Sequence, residues 1–303
     1  MSNREANGIR VELWRAWHRT WGSRVLQGLA GAAALLLITT WFTIPLPSGA
    51  VHAELSRLRT ANQVLTLALI VLAFLCAYRV LSVDLDEAFD SLSVRGGSHA
   101  LTFAAGRILS GAGGLALVTV GFLAIVEALD FNGQYRTQEI VHALVQLANA
   151  SAVFLLACVL VSGIGRVAGV LVAFVLFTIS TDAAYQRGAL EDGFITPAPV
   201  VSAEQVVGWL GPRPLIDPLS GIAAIDQSVA LQQFPVREGQ AIWGTDLIQV
   251  SSSSDIAIYA VYVAAALVIF YVVCRVRARQ ARTRLRPTTW TAPRVVGDRP
   301  ARR

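Results

Sequence analysis

The stretch SVDLDEAFDSLSVRGGSHALTFAAG, residues 82–106, is a long polar segment between two apolar runs. Within it, apolar side chains recur at i, i+3, i+4 and i+7 from Leu85 to Leu92, and acidic side chains fill the positions between them. That spacing predicts a short amphipathic helix with an acidic wet side. Gly96-Gly97 ends this helix, and Ser98 is a suitable N-cap for the next one. We therefore expect the chain to turn sharply here, at the surface of a membrane.

The chain as a whole is too apolar for a soluble domain of its length. Hydrophobic residues make up 54%, charged residues only 15%, and the mean hydropathy is +0.56. A run of about 20 apolar residues crosses a hydrocarbon core of about 30 Å. The expected fold is all-α and polytopic, a membrane domain over 1–286 with an outer helical segment at 185–255 and a disordered cytoplasmic tail at 287–303. The six predicted spans are 25–44, 62–78, 108–126, 140–164, 167–184 and 256–274.

The residues before the first span predict a helix lying in the headgroup region. Over 9–24, apolar side chains including Trp14, Trp17 and Trp21 fall roughly on one face, with arginines off it. Indoles favour the membrane interface and guanidinium groups reach lipid phosphates, so membrane lipid is an expected partner. The alternative is a plain cytoplasmic extension of the first span.

The type and placement of the basic residues argue against ATP hydrolysis by this chain and against nucleic-acid binding. All 25 basic residues counted as lysine or arginine are arginine, so the chain has no lysine for a P-loop, and ATP hydrolysis would need a partner. Because the arginines sit at span ends rather than on one soluble face, no nucleic-acid partner is expected. They crowd alternate loops and both termini, which places both termini and the 82–106 segment in the cytoplasm of a multi-pass protein of the inner membrane.

Small residues lead to two further predictions, about helix packing and about a tight connection between two spans. Gly106, Ser110 and Gly114 recur every four residues along the third span, which favours close packing against a neighbouring helix. The residues between the fourth and fifth spans are mostly small, so these spans are expected to join in a very tight hairpin. Further on, Ser202-x-x-Gln205 matches a capping box at the start of a short outer helix.

The acidic cluster, the short amphipathic helix, the small-residue break and Gly106-Arg107 together resemble ABC transporter permeases of the type-2 exporter family. In that family an acidic start, a Gly-Thr, a Pro-x-Ser and a Gly-Lys mark this position, whereas here Ala88 and Phe89 replace Gly-Thr and Gly97 replaces the proline. The resemblance implies a coupling helix that docks into a separate ATP-binding cassette ATPase subunit. It also implies a second permease copy or homologue, and ATP and Mg in the partner only, with no cofactor in this chain. The implied ATPase-binding residues are Asp84, Asp86, Glu87, Phe89, Asp90 and Leu92.

The fourth span carries a polar stripe, defined here as Glu139, His142, Gln146 and Asn149, at helical spacing on one face. Polar side chains are costly toward lipid, so the stripe is expected to point into the protein or a wet cavity. Two readings remain open: hydrogen bonding to neighbouring helices, or a translocation path in which His142, Gln146 and Asn149 contact the substrate.

The sequence offers little support for an enzyme. The sequence has no HExxH, its four histidines are scattered, and Cys76, Cys158 and Cys274 lie in apolar runs, so neither catalytic residues nor a metal site are predicted. The expected function is the permease subunit of an ATP-driven exporter. The alternatives are a membrane assembly or maturation factor that transports nothing, a secondary transporter, and an intramembrane hydrolase.

Overall fold

The computed structural model describes residues 3–43, 50–81, 99–129, 136–191, 199–217 and 251–284. Its regular structure in these ranges is entirely helical, which confirms the all-α expectation. The helices are α1 (Asn3–Trp21), α2 (Arg24–Thr43), α3 (Ala50–Val80), α4 (His99–Leu129), α5 (Arg136–Ile164), α6 (Arg166–Glu191), α7 (Pro199–Val207) and α8 (Ser253–Arg284).

Within the described residues, six helices are long and apolar enough to cross a membrane, namely α2, α3, α4, α5, α6 and α8. They coincide in order and position with the six predicted spans, so the chain is a multi-pass membrane protein. Several helices are longer than predicted: α3 has 31 residues, α4 31 and α8 32. The extra turns of α3 and α8 are rich in polar residues, whereas those of α4, residues 99–107, are mostly apolar. A helix continues through them because no proline or glycine pair stops it.

The fourth span, α5, is the centre of the bundle. Of the residues in its apolar window 61% are buried, against 17% for α2, 22% for α6 and 11% for α8. The core around it is filled by leucine and phenylalanine, and Phe154 and Phe270 are its largest fully buried side chains. The outer faces of α2, α6 and α8 are left apolar and exposed, as lipid or another membrane helix requires.

The α5–α6 hairpin is as tight as the sequence predicts. A single residue, Gly165, separates the helices, with φ +102°, a conformation that L side chains rarely adopt. Its N–H donates to Val161 O at 3.2 Å. A Cβ on Gly169 would lie 2.5 Å from Val161 N, so a second glycine lets the two backbones meet at the hairpin.

Helix α1 packs lengthwise on α4 and runs in the same direction. A Cβ on Gly8 would lie 3.2 Å from Thr102, one on Gly106 2.9 Å from Glu12, and one on Gly114 1.8 Å from the indole of Trp21. The predicted close approach at the small-residue stripe is thus present, and its neighbour is α1.

The three indoles of α1 differ in their surroundings. Trp14 is 62% exposed, whereas Trp17 and Trp21 lie against α4, where Gly113 and Gly114 leave room for them. The Trp21 Nε1–H donates to Ser110 O at 3.1 Å. Glycines on a distant helix therefore decide where Trp17 and Trp21 fit, and the location of the indoles at the membrane interface stays a prediction.

The described contacts divide the bundle into two ends. At one, Arg107 donates to Val80 O and Arg277 to Gly163 O, and other arginines follow at the helix termini; this is the arginine-rich end. At the other end, Arg136 forms an ion pair with Glu127. We call this the carboxylate-rich end, because several further carboxylate side chains lie there. Its described acidic residues include Glu127, Glu139, Glu204, Asp217 and Asp255.

Candidate functional site

The six predicted ATPase-binding residues, Asp84 to Leu92, lie outside the described residues, and so does Ser98. The helix ends that flank them are described. Helix α3 ends at Val80 and α4 begins at His99, so both boundaries of the polar segment lie at the arginine-rich end. The role of the polar segment in coupling therefore stays a prediction. The structure describes the two helix ends to which this segment is attached.

Arg107 joins these two helix ends. It is 5% exposed, its guanidinium donates to the carbonyl of Val80, and it lies 4.8 Å from the centre of the Phe103 ring. Glu12 of α1 interacts with it electrostatically. A cation at the carbonyl end of a helix is favoured by the helix dipole. The last turn of α3 and the first turns of α4 are thus joined by one buried side chain.

At the carboxylate-rich end the polar stripe of α5 meets residues 208–217, called the strap below. His142 Nδ1 lies 3.0 and 3.1 Å from the two carboxylate oxygens of Asp217. Both side chains are nearly inaccessible, at 2% and 4% exposure. An ionised carboxylate only accepts, so the contact is a hydrogen bond to ionised Asp217 in the tautomer with the proton on Nδ1.

Asn149 holds the strap in a second way. Its Nδ2–H donates to Leu215 O at 2.9 Å, and its Oδ1 accepts from Leu215 N–H at 2.8 Å. One amide side chain thereby satisfies both backbone groups of a non-helical residue, as a neighbouring strand would. Next to it, Ile216 N–H donates to Ser251 Oγ at 2.8 Å and Ser251 N–H donates to Ile216 O at 2.9 Å, which ties the strap to the start of α8.

The structure therefore brings His142 and Asn149 into hydrogen bonds with the strap, and Gln146 and Glu139 are buried on the same face. These contacts support the packing reading of the stripe. The partners of His142 and Asn149 lie in a non-helical segment instead of a neighbouring helix.

The strap lies close to α6 because it carries glycines. A Cβ on Gly208 would lie 2.9 Å from that of Ala183, and one on Gly211 would lie 2.6 Å from Leu176 O. The predicted capping box at Ser202-x-x-Gln205 is wrong, since α7 already begins at Pro199. Proline suits the first helical position because it lacks the N–H that is unsatisfied there. Gln205 instead donates across to Ala183 O at 2.9 Å.

A true capping box opens α8 and was not predicted. Ser252 precedes the helix, its N–H donates to Asp255 Oδ2 at 2.8 Å, and its Oγ accepts from Asp255 N–H at 3.4 Å. The signal was present as Ser-x-x-Asp before an apolar run. Residues 218–250 of the predicted outer segment lie outside the described residues.

A cavity of about 60 Å³ lies between the strap, the end of α6 and the start of α8. The Arg213 guanidinium lies 4.0 Å from the centre of the Trp209 ring at its wall. Tyr259 O–H donates to Ala148 O and Tyr262 O–H to Leu210 O, so both rings are fixed beside it. Sequence reasoning missed this cavity; its one local signal is the helical spacing of Asp255, Ile258, Tyr259 and Tyr262. Its lining residues also include Ala184, Gly211, Pro214, Leu215, Ile216 and Ser251.

Among the described residues no group of three or more His, Cys, Asp or Glu side chains is arranged to hold a metal ion. The three cysteines are buried and free. Comparison with protein-family models, with curated proteins and with solved structures finds no match.

Proposed function

We propose that the protein is the permease subunit of an ATP-driven exporter of the cytoplasmic membrane. It acts as a dimer and is coupled through residues 83–98 to a separate ATPase subunit, which supplies the ATP and Mg site. The observation that carries this proposal is the contact of Arg107 that joins the end of α3 to the first turns of α4. A segment that transmits force must be attached rigidly at both ends, and Val80 and the start of α4 are held together at the point where the segment leaves and rejoins the bundle.

The order of elements supports the same proposal. A helix precedes the first span, a polar segment separates the second from the third, and a short helix with a strap separates the fifth from the sixth. The resemblance to type-2 exporter permeases, seen first in the sequence, includes outer helices at this last position. The described part of the chain contains one of them, α7.

The distribution of burial supports a path between two copies. The centre of the single bundle is filled by leucine and phenylalanine, whereas α2, α6 and α8 leave most of their apolar surface uncovered. A substrate path between two permeases would use those surfaces. It would leave the packed centre of each chain intact, as close-packed interiors resist opening.

Orientation follows from the two ends of the bundle. Because arginine is enriched on the cytoplasmic side of membrane proteins, we place the arginine-rich end and both termini in the cytoplasm. Cysteine labels introduced at Ser93 and Thr283 should react with a membrane-impermeant maleimide only after the cells are opened, and a label at Ser228 should react in intact cells. Labelling of position 93 in intact cells would contradict this orientation. The native cysteines are buried, so the unmodified protein is the background control.

The coupling role predicts a loss of ATPase association. If Phe89 and Leu92 enter a cleft of the ATPase and the carboxylates face its basic rim, Phe89→Ala should cost about 2 kcal/mol of association, as an interface hot spot does. Glu87→Arg should weaken it further by charge repulsion. Co-purification and transport-stimulated ATP hydrolysis would measure both effects.

The matched control is Phe42→Ala, which removes an aromatic side chain that is 69% exposed at the end of α2. It should leave association unchanged. If the Phe89→Ala, Glu87→Arg protein still binds the ATPase and stimulates hydrolysis normally, the coupling role is wrong. Retained binding of another membrane protein without any transport would favour the assembly-factor alternative.

A further inference from the structure

The cavity beside the strap lies at the level where a membrane span ends. The cavity is lined by Ala184, at which the fifth span predicted from the sequence ends, and by Ser251 and Asp255 at the polar start of α8. This is the depth at which hydrocarbon gives way to headgroups. Tryptophan and tyrosine, which border the cavity here, are enriched at that depth in membrane proteins.

One face of α8 forms a wall of the cavity. Asp255, Ile258, Tyr259 and Tyr262 follow one another at i, i+3, i+4 and i+7, so their side chains point to the same side. Aromatic rings beside a carboxylate form a good environment for an organic cation, because ring faces and carboxylate are both negative.

The strap contributes a cation to the cavity lining. Arg213 stacks on Trp209 and donates long hydrogen bonds to Gln205, at 3.5 Å to its backbone oxygen and 3.4 Å to its side-chain oxygen. A guanidinium has five N–H groups in a planar fork, which suits a phosphate oxygen pair in addition to Gln205. The cavity thus places one positive and one negative side chain on different walls.

Its size restricts the ligand. At about 60 Å³ it is far smaller than pockets for drug-sized molecules, which range over about 300–1,000 Å³. A small charged group fits, and a drug-sized molecule does not.

Large apolar side chains are exposed on α7 and α8, including Val206 at 70% and Val261 at 70%. A ligand with a small dipolar end and long apolar chains therefore matches both the cavity and its surroundings.

We propose that this cavity binds the headgroup of a zwitterionic phospholipid from the leaflet at the carboxylate-rich end. The phosphate lies against Arg213, the ammonium group lies beside Asp255 and the tyrosine rings, and the acyl chains follow the exposed sides of α7 and α8. The bound lipid bridges the strap and the sixth span. This inference does not depend on the transport function, and its test involves no transport measurement.

The test uses the full chain in mild detergent and native mass spectrometry. Phosphatidylethanolamine, phosphatidylcholine and phosphatidylglycerol are offered one at a time. The expected result is retention of the two zwitterionic lipids in preference to phosphatidylglycerol by about tenfold, which corresponds to one favourable charged contact. Arg213→Gln should remove retention of all three lipids. Asp255→Asn should abolish the zwitterionic preference while phosphatidylglycerol still binds.

Two features keep these variants interpretable. Asparagine at position 255 keeps an oxygen that can accept the Ser252 N–H, so the cap of α8 persists without the charge. The matched arginine control is Arg136→Gln, which removes an exposed ion pair with Glu127 at the same end of the bundle and should leave lipid retention unchanged.

Three results would overturn the proposal: no retained lipid, equal or better retention of phosphatidylglycerol, or a preference that survives Asp255→Asn. Soluble phosphoethanolamine and phosphocholine form a further arm. Competition by either at concentrations similar to those of the lipids would show a site for a free headgroup compound and overturn the lipid assignment. The absence of competition supports it.

Discussion

Replacing Asn149 by leucine is expected to unfasten the strap from the fourth span. The substitution removes both hydrogen bonds to Leu215 and leaves its part-buried N–H and C=O without their partner. A buried group in that state costs about 1–3 kcal/mol; because these two are only partly buried, the free energy of unfolding should fall by about 2 kcal/mol, near the lower end for two groups. Adding Gln146→Leu should lower it further, because both side chains are buried on the same face.

The measurement is thermal unfolding of the purified protein, together with limited proteolysis between α7 and α8. Ser151→Ala is the control: its hydroxyl donates only to Leu147 O of its own helix in the described structure, so stability should change little. A variant at 149 and 146 that unfolds normally yet exports nothing would contradict the packing role and place the stripe in the translocation path. Normal stability with normal export would remove the stripe from both roles.

Replacing Gly114 by valine is expected to displace α1 from the third span. A Cβ at this position would lie 1.8 Å from Trp21 Cε2, and the ring is held by its hydrogen bond to Ser110 O. Overpacking of this kind costs about 1–3 kcal/mol or more. Since Glu12 of α1 packs against Gly106, the residue before Arg107, displacement of α1 should also loosen the helix ends to which the 82–98 segment is attached.

A disulfide between cysteines introduced at Gly8 and Thr102 reports the position of α1, because a Cβ at 8 would lie 3.2 Å from Thr102 Cγ2. Gly114→Val should lower its yield and the unfolding temperature together. Gly121→Val is the matched control on the same helix, since nothing lies within 4 Å of a Cβ there among the described residues. Unchanged cross-linking in Gly114→Val would show that α1 is not seated on this glycine.

Much of the fold could be predicted because membrane insertion is decided locally. Each span is a run of apolar residues whose transfer into lipid is favourable by itself, and the limits of α2 differ from the predicted 25–44 by only one residue. The tight hairpin at Gly165 and the close approach at Gly106 and Gly114 are equally local, since they depend only on missing side chains.

The partners of polar groups could not be predicted in the same way. The sequence singled out His142 and Asn149 as polar residues that must avoid lipid, yet Asp217 and Leu215 lie 75 and 66 positions away along the chain. No period or motif connects such residues. The packing of Trp17 and Trp21 against glycines of α4 was not predicted for the same reason.

The sequence by itself determined the membrane class, the number and order of the spans, the close-packing glycines and the polar stripe of the fourth span. Each of these depends on residues within one helix or one turn. Only the tertiary structure decided that the strap covers the stripe, that α1 lies on α4, that Arg107 joins the ends of α3 and α4, and that Trp209, Arg213 and the first turns of α8 enclose a cavity. In a bilayer the hydrophobic effect places every span but does not choose its neighbours, and that choice is left to close packing and to buried polar groups finding partners.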